Sequence, residues 1–380
     1  MSSSAYPQAS RLPLVSLQDQ YRSIAPEISE AIERVLERQV FIGGPETAAF
    51  EVEFAAACES TECVAVSSGT NALELALAAL GVGAGDEVIT VSHTFFATVG
   101  AIVRTGATPV LIDIEEESWT MNPALVAGAI SERTKAIVPV HIYGHPADVP
   151  AIAEAAAGIP IVEDAAQAHL ARYRGRSIGA DAAAACFSFY PGKNLGAYGD
   201  AGAVITDDPL IAERIRALRD HGRARGAKYE HDRMGMNARA AELQMAVLRT
   251  KLPHLPQWTL ARRQLSERYQ QQLEENHELQ VVQPWAEHVW HLFVMLHPER
   301  DSLLKGLNEQ GIGAGVHYPL PCHLQPALEG RWRGGGEAGL LVSEAVAASC
   351  LSLPLYPELG ENGVDAVVAA LSEALLEAAA

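Results

Sequence analysis

Between residues 63 and 207 short apolar segments alternate with segments of helical periodicity, and this alternation restricts the fold more than any other feature. Strands are predicted at 63–68, 87–92, 108–114, 135–142, 159–166, 182–189 and 201–207. Helices are predicted between the first five of them, at 69–83, 95–106, 123–131 and 148–158. Strands that are apolar on both faces and alternate with helices indicate a mostly parallel sheet covered on both sides. The sequence therefore predicts an α/β fold around a sheet of about seven strands.

The flanking segments predict further helices and a second, smaller unit. Helices are predicted at 17–40, 45–58 and 209–222, and a polar loop at 223–238. The later pattern predicts helices 239–252 and 256–276, strand 290–297, helix 300–310, strand 312–316, a proline-rich loop 317–326 and a C-terminal helical segment. We accordingly expect a disordered tail over 1–15, a large domain over 16–254 and a small α+β domain over 255–380.

Composition excludes several classes of protein. The chain has 28 basic and 47 acidic residues and a net charge of −19, whereas nucleic-acid binding requires a basic surface. No apolar run reaches the ~18 residues of a membrane helix, and the first residues do not resemble a signal peptide. The five cysteines are scattered and lack zinc spacing, as expected of buried thiols in a reduced, cytoplasmic protein.

Three strand ends carry residues suited to binding a ligand, because ligands of open parallel sheets bind beyond the carboxyl ends of the strands. Gly69 and Thr70 begin a helix whose backbone N–H groups suit a phosphate, although an ordinary N-cap would use the same residue types. Asp164 ends an apolar strand, and we assign it rather than Glu163 to the inward face, with N-capping as the alternative. Phe95 follows the second strand, where it could stack on a flat ring or pack in the core.

A fourth strand end carries Lys193, in the stretch AACFSFYPGKNLGAYGDAGA (184–203), preceded by Ser188 as a second phosphate donor. Lysine is rarely buried unless it is paired or reacts, and a desolvated amine can form a Schiff base with a carbonyl. The alternative is a surface lysine on a glycine-rich turn. A carboxylate such as Asp164 would keep a pyridine nitrogen protonated, so the four strand ends together suit pyridoxal phosphate (PLP).

Other chemistries have no matching pattern in this sequence. It contains no GxGxxG after a strand, no GxxxxGK[ST], no HExxH and no GxSxG. His141 and His145 have i, i+4 spacing but straddle a strand end, whereas a zinc pair needs one helical face. We therefore predict no metal site.

Several further motifs, in this order and spacing, closely resemble the DegT/StrS family of PLP-dependent sugar aminotransferases, a fold type I group. The matching segments span about residues 15 to 330 and include FIGGPETAAFEVEFA, SSGTNALELALAALGVGAGDEVIT, HTFFAT, TKAIVPVHIYGHPAD, IVEDAAQAHLA, FSFYPGKNLGAYGDAGAVIT, GMNARAAELQMAVL and GVHYPLPCHLQPA. The resemblance implies that this chain is an aminotransferase with PLP as its cofactor.

The resemblance also implies a role for each matching residue. It implies that Lys193 carries PLP and moves the proton, Asp164 pairs with the pyridinium nitrogen, Gln167 reaches the phenolic oxygen, Phe95 stacks on the ring, and Gly69, Thr70 and Ser188 hold the phosphate. Asn237 would reach the phosphate of a neighbouring subunit's cofactor, which implies a homodimer with shared active sites. Tyr190, His317 and Tyr318 match positions that line the sugar site.

The implied substrates are L-glutamate and a keto sugar, by resemblance a nucleotide-linked 3-keto-6-deoxyhexose. C4 of a nucleotide sugar, a keto-uronate and a cyclitol ketone are alternatives. A sugar dehydratase of the same family would have His in place of Lys193, and a non-catalytic regulator would not need Lys193 and Asp164. The chain departs from the family pattern at Leu170, where Gly is usual and where we expect an altered pocket wall, and at Ala240 and Ala241.

Overall fold

The computed structural model describes residues 12–273, 277–336 and 339–378. Its helices are α1 (Leu17–Arg38), α2 (Pro45–Ala57), α3 (Gly69–Ala79), α4 (Ala97–Arg104), α5 (Val126–Ala129), α6 (Val149–Ala155), α7 (Pro209–Leu218), α8 (Glu242–Lys251), α9 (Leu255–Leu273), α10 (Arg300–Glu309), α11 (Leu341–Ser349) and α12 (Gly360–Ala378). Its strands are β1 (Glu62–Val66), β2 (Glu87–Val91), β3 (Thr108–Ile112), β4 (Thr134–Val138), β5 (Val162–Asp164), β6 (Arg172–Tyr173), β7 (Arg176–Ser177), β8 (Ala184–Ser188), β9 (Gly202–Thr206), β10 (Glu278–Leu279), β11 (Ala286–Glu287), β12 (Phe293–Leu296), β13 (Arg333–Gly334) and β14 (Cys350–Leu353).

Eight of these strands lie side by side in the order β1-β9-β8-β5-β4-β2-β3-β13. Regular ladders form β1-β9-β8-β5 and β4-β2-β3-β13, and isolated parallel bridges join β4 to β5. Only β9 runs antiparallel to its neighbours in these ladders. The seven predicted strands are all present, and the α/β class of the fold is confirmed.

The strands of this sheet are apolar on both faces because helices cover both. In β1, Cys63 and Ala65 pack into a core that contains Phe50 and Phe54 of α2. Val64 and Val66 point the other way, into a core built with α3 and α7. Side chains that alternate between two buried faces explain why the strands read as continuous apolar runs.

A second sheet is antiparallel, in the order β10-β12-β14. Its core contains Phe293 of β12 and Leu351 of β14, and Tyr269 of α9, Leu307 of α10 and Val367 of α12 pack into the same cluster. The boundary between the large and small domains after residue 254 stays a prediction.

Several predicted elements are wrong or were missed. Residues 312–316 form no strand and make only isolated bridges, one from Ile312 to Leu12 and one from Gly315 to Ser352. Strand β14 was expected to be helical, and the helix predicted at 123–131 is a 3-10 turn followed by four residues of α-helix. None of the helices within the described ranges is long and apolar enough to cross a membrane.

The N-terminal residues also differ from the prediction. Residues 1–11 of the expected tail lie outside the described residues. Residues 12–15 are held in place, because Leu12 exchanges hydrogen bonds with Gly311 and Gly313 and the carbonyl of Leu14 accepts the N–H of Leu355. This short segment therefore packs against the C-terminal part of the chain.

Candidate active site

The carboxyl ends of β1, β2, β4, β5 and β8 meet at one cavity of about 600 Å³. Every predicted site residue except Asn237 lines this cavity, namely Gly69, Thr70, Phe95, Asp164, Gln167, Ser188, Tyr190, Lys193, His317 and Tyr318. The convergence follows from parallel strand direction, because the ends of parallel strands share one edge of the sheet.

Lys193 lies in the turn that follows β8, where its backbone N–H donates to the carbonyl of Tyr190 at 2.8 Å. Desolvation lowers the pKa of its amine to about 8, and the nearby Asp164 carboxylate opposes part of this shift. An amine with such a pKa is partly uncharged near neutral pH, and the uncharged form is the one that attacks a carbonyl.

Asp164 ends β5 and is buried, as the inward assignment predicts. Its Oδ2 accepts the hydroxyl hydrogen of Thr98 at 2.7 Å and its Oδ1 accepts the N–H of Ala166 at 3.1 Å. Burial raises the pKa of Asp164, while Thr98, Ala166 and Lys193 counteract the rise. A desolvated carboxylate of this kind is stabilised by any cation that enters the cavity beside it.

Glu163 faces the opposite side of the strand. Its Oε2 accepts hydrogen bonds from Nε2 of His141 at 2.9 Å and from the N–H of Gly179 at 2.8 Å. The Nδ1 of His141 accepts the N–H of Ala147, whereas His145 pairs its Nδ1 with the Pro146 carbonyl. The two histidines of the HIYGH segment thus have separate partners.

Gly69 begins α3 in direct contact with Ser188 of β8. The N-cap of this helix is Ser68, whose side chain accepts the N–H of Asn71 at 3.2 Å. A Cβ atom at Gly69 would lie 2.6 Å from the Cβ of Ser188, closer than real Cβ contacts. The absence of a side chain at Gly69 therefore lets a helix N-terminus and a serine hydroxyl meet at the cavity wall, an arrangement suited to an anion.

Gln167, Phe95 and Tyr318 lie together on another side of the cavity. The Nε2 of Gln167 donates to the hydroxyl of Tyr318 at 3.1 Å. The rings of Phe95 and Tyr318 lie 5.4 Å apart at an angle of 41°, and 55% of Phe95 is exposed in this chain. Phe95 is therefore available for stacking on a flat ligand and is not a core residue.

His317 and Tyr190 complete the predicted sugar side of the cavity. The Nδ1 of His317 lies 2.8 Å from the hydroxyl of Ser352 in β14. Burial, followed by the charge of Lys193, lowers the pKa of His317 to about 4, so the ring is neutral near pH 7. Tyr190 is 59% exposed and lies at the rim.

Asn237 lies away from this cavity, on the exposed loop before α8. Its Oδ1 accepts Nε of Arg239 at 3.1 Å, and its backbone pairs with Asp220. A second concavity, of about 640 Å³, lies between α7 and residues 220–233. It is lined by arginines that pair with acidic neighbours such as Asp220 and Asp232, and no strand end of the main sheet reaches it.

Leu170 does not reshape the cavity as expected. It packs against the core that contains Phe50 and Phe54, and it is not among the residues that line the cavity. Its φ of 62° lies in the left-handed region, which is unfavourable for a residue with a Cβ atom and explains why Gly is usual there. Ala240 is buried, and Ala241 occupies the N-cap of α8 and pairs with Ile42.

Sequence reasoning missed several residues that line the cavity, among them Leu14, Val15 and His291, and it considered His141, which also lines the cavity, only as a metal ligand. Leu14 and Val15 reach it only because their segment packs against the second sheet. His291 precedes β12, and its Nδ1 lies 3.2 Å from Oδ1 of Asn194, the neighbour of Lys193. No motif marks these residues, although a histidine just before an apolar strand could have been noted as a polar residue at a strand end.

Comparison with known proteins matches nearly the whole chain to the family that the sequence motifs resemble. The family model described as the DegT/DnrJ/EryC1/StrS aminotransferase family matches residues 22–372. A Saccharopolyspora erythraea protein named erythromycin biosynthesis sensory transduction protein EryC1 is 49% identical over 95% of this chain and 98% of its own length. A Streptomyces venezuelae protein named dTDP-3-amino-3,4,6-trideoxy-alpha-D-glucose transaminase is 47% identical over 98% of both chains.

A crystal structure of S. venezuelae DesV in complex with a ketimine intermediate has the same fold. It superposes with a TM-score of 0.92 at 47% identity, over 96% of this chain and 98% of that chain. The fold predicted from the order of strands and helices is therefore that of this solved structure.

Proposed function

This chain belongs to the DegT/DnrJ/EryC1/StrS family of PLP-dependent aminotransferases, and we propose that it transfers an amino group from L-glutamate to a nucleotide-linked keto sugar. The observation that carries the proposal is the shared cavity of Lys193, Asp164 and the His317–Tyr318 segment. A reactive amine, a buried carboxylate and polar aromatic side chains at one cavity suit a carbonyl chemistry on a hydroxyl-rich ligand.

The residues around the cavity fit PLP. The close approach of Gly69 to Ser188 brings the N-terminus of α3 and the Ser188 hydroxyl together at the cavity wall, where they would hold the phosphate with Thr70. Asp164 would face the ring nitrogen, Gln167 the phenolic oxygen, and Phe95 the face of the ring. Each assignment uses a side chain that already lines the cavity.

Bound PLP supplies an electron sink for the charge that develops when an amino acid loses its Cα proton. Asp164 supports this sink by keeping the ring nitrogen protonated. Lys193 would take the Cα proton of the amino donor on Nζ and later return it to the carbon on the cofactor side of the donor nitrogen, because an amine with a pKa of about 8 can act as both base and acid.

The acceptor is proposed to be a 3-keto-6-deoxyhexose attached to a nucleotide. The name of the S. venezuelae relative specifies a 3-amino sugar, which supports C3 over C4. Tyr190, His317 and Tyr318 offer hydroxyl and imidazole groups to the sugar hydroxyls. Ketones of keto-uronates and cyclitols remain the alternatives that a substrate screen would distinguish.

The first experiment tests the amino-group transfer. Purified protein loaded with PLP should show the visible absorbance of protein-bound PLP, and L-glutamate should bleach it. The Lys193→Ala variant should lose both this absorbance and turnover, with Lys305→Ala, an exposed lysine of α10, as the control. Normal transamination by Lys193→Ala would refute the assignment. PLP binding without turnover on any keto-sugar nucleotide would favour a regulator, the function that the EryC1 name suggests for that relative.

The second experiment tests a homodimer in which Asn237 completes the partner's site. Asn237 is exposed and lies outside its own cavity, which supports a role across an interface. Mixing Lys193→Ala with Asn237→Ala subunits should restore activity above that of either variant alone, because each hybrid dimer then contains one intact site. If Asn237 acts within its own subunit, the hybrid has no intact site and activity does not recover.

A further inference from the structure

Tyr143 contacts three segments of the site although it does not line the cavity. It lies in the 3-10 turn Ile142–Gly144 between β4 and α6, and its side chain is fully buried. Its φ of 59° falls in the left-handed region. Such a backbone conformation costs free energy for a bulky residue and persists only where the surrounding contacts hold it.

The first two contacts of Tyr143 are hydrogen bonds to predicted site residues. Its backbone N–H donates to Oε1 of Gln167 at 2.5 Å, and its hydroxyl donates to the carbonyl of His317. Tyr318 follows His317 and accepts Nε2 of Gln167 at 3.1 Å. These bonds close a ring that runs from Tyr143 through the His317–Tyr318 segment to Gln167 and back.

This closed set of hydrogen bonds fixes the orientation of the Gln167 amide. Because Oε1 accepts a backbone N–H, the other end of the amide must be the NH₂ group, and it faces Tyr318. One hydrogen of this NH₂ group goes to Tyr318, which leaves the second hydrogen for a ligand. Tyr143 thus determines which group Gln167 presents.

His93 forms a second hydrogen bond to the hydroxyl of Tyr143. Its Nε2 lies 2.6 Å from that hydroxyl, whose single hydrogen goes to His317, so Nε2 of His93 must be the donor. His93 is buried, and burial lowers its pKa to about 4, which keeps the ring neutral. The hydroxyl therefore has a fixed direction towards the His317 carbonyl.

The backbone carbonyl of Tyr143 makes the third contact. It accepts the N–H of His291 at 2.8 Å, and the N–H of Leu292 lies at 3.4 Å. Both residues line the cavity. One buried residue thus connects Gln167 in the turn after β5, the His317–Tyr318 segment and the chain that leads into β12.

We propose that Tyr143 is a positioning residue that sets the His317–Tyr318 segment against Gln167, so that binding of the acceptor sugar depends on it. The proposal rests on the function proposed above. The glutamate half-reaction depends mainly on Lys193 and Asp164, which the Tyr143 hydroxyl does not touch, and Gln167 is held by the backbone N–H of Tyr143 and not by its hydroxyl. Losing the hydroxyl should therefore affect the sugar more than the amino donor.

The test is Tyr143→Phe, which removes the hydroxyl and keeps the ring and the backbone. We expect the KM for the keto-sugar nucleotide to rise about tenfold, the effect of one lost hydrogen bond, with kcat and bleaching by glutamate nearly unchanged. Hydrogen exchange of amides 315–322 should accelerate in the protein without substrate. Tyr269→Phe is the matched control, because Tyr269 is also fully buried and also donates to a backbone carbonyl, that of Pro354 at 2.9 Å.

An unchanged KM together with unchanged exchange at 315–322 in Tyr143→Phe would overturn the proposal, as would equal effects in Tyr269→Phe. If wild type acts on no keto sugar, the proposed function fails, and the exchange measurement alone still decides whether Tyr143 positions the segment. If Tyr143→Phe does not fold, His93→Leu replaces it. That variant should raise the KM in the same direction by about threefold, and an unchanged KM there overturns the proposal.

Discussion

The hydroxyl of Thr98 donates a hydrogen bond to Oδ2 of Asp164 at 2.7 Å, so that α4 supports the carboxylate at the end of β5. We expect Thr98→Val to weaken PLP binding about tenfold, because a hydrogen bond to an ionised carboxylate contributes about 1.5–3 kcal/mol. A titration of the apoprotein with PLP measures this. Thr98→Ser should keep the affinity, since it retains the hydroxyl.

Thr206→Val serves as a control for Thr98→Val. Thr206 donates its hydroxyl to the Ala183 carbonyl at 2.7 Å and ends β9, the antiparallel strand, so it lies at the opposite edge of the sheet. Thr206→Val should lower stability and leave PLP affinity unchanged. Equal PLP affinity in Thr98→Val and wild type would show that Thr98 does not support the cofactor site.

Gly69→Ala should reduce PLP affinity at least tenfold. The added Cβ would lie 2.6 Å from the Cβ of Ser188 and would push α3 away from β8, where the phosphate is proposed to bind. Gly128→Ala is the control, because Gly128 lies in α5 and a Cβ there meets nothing within 4 Å. That control should be neutral or should stabilise the protein by up to about 1 kcal/mol. Wild-type affinity in Gly69→Ala would exclude a phosphate at this contact.

The reaction of Lys193 with added PLP should depend on pH through its amine. Only the uncharged amine reacts, so the rate in the apoprotein should rise with pH through about 8 and then level off. The Asp164 carboxylate raises the pKa of Lys193, so Asp164→Asn should move the midpoint to lower pH. Stopped-flow absorbance over a pH series measures both profiles.

Asp208→Asn is the control for this pH profile. Asp208 caps α7 by accepting the N–H of Leu210, and asparagine caps equally well. It should leave the midpoint where it is in wild type. A midpoint that stays fixed or moves upward in Asp164→Asn would contradict the proposed coupling of the two groups.

Glu87 should contribute stability that disappears in acid. Its buried carboxylate pairs with Arg333 of β13 and with Arg133, and the Arg333 hydrogen bond is the main reason that its pKa falls from 4.5 to about 2. A depressed pKa stabilises the fold above about pH 4.5, and this contribution is lost as the pH falls towards 2. Glu87→Gln should therefore lower the free energy of unfolding by about 2 kcal/mol at neutral pH.

Urea unfolding at neutral and acidic pH compares Glu87→Gln with wild type. The difference between them should shrink as the pH falls below 4.5. Glu132→Gln, a change at an exposed neighbour, should have no effect at any pH. A difference that stays constant with pH would mean that Glu87 contributes through packing and not through its charge.

Local patterns were sufficient for much of the fold. The seven apolar strands were found because burial on both faces leaves a continuous apolar run, which periodicity detects without knowledge of contacts. The segment 312–316 was misread as a strand because an apolar run does not reveal whether a neighbouring strand is available. In the structure this stretch makes only single bridges, and β14 takes the place beside β12.

The residue types at the strand ends determined the candidate site, because parallel strands bring their carboxyl ends to one edge whatever the rest of the chain does. Lys193, Asp164 and Gly69 could therefore be found from the sequence. Tertiary structure alone decided the pKa of Lys193, because that pKa depends on desolvation. It also brought Leu14, Val15 and His291 into the wall of the cavity. It also decided the hydrogen-bonded ring through Tyr143, because hydrogen bonds between residues far apart in the chain have no periodic signature in a sequence.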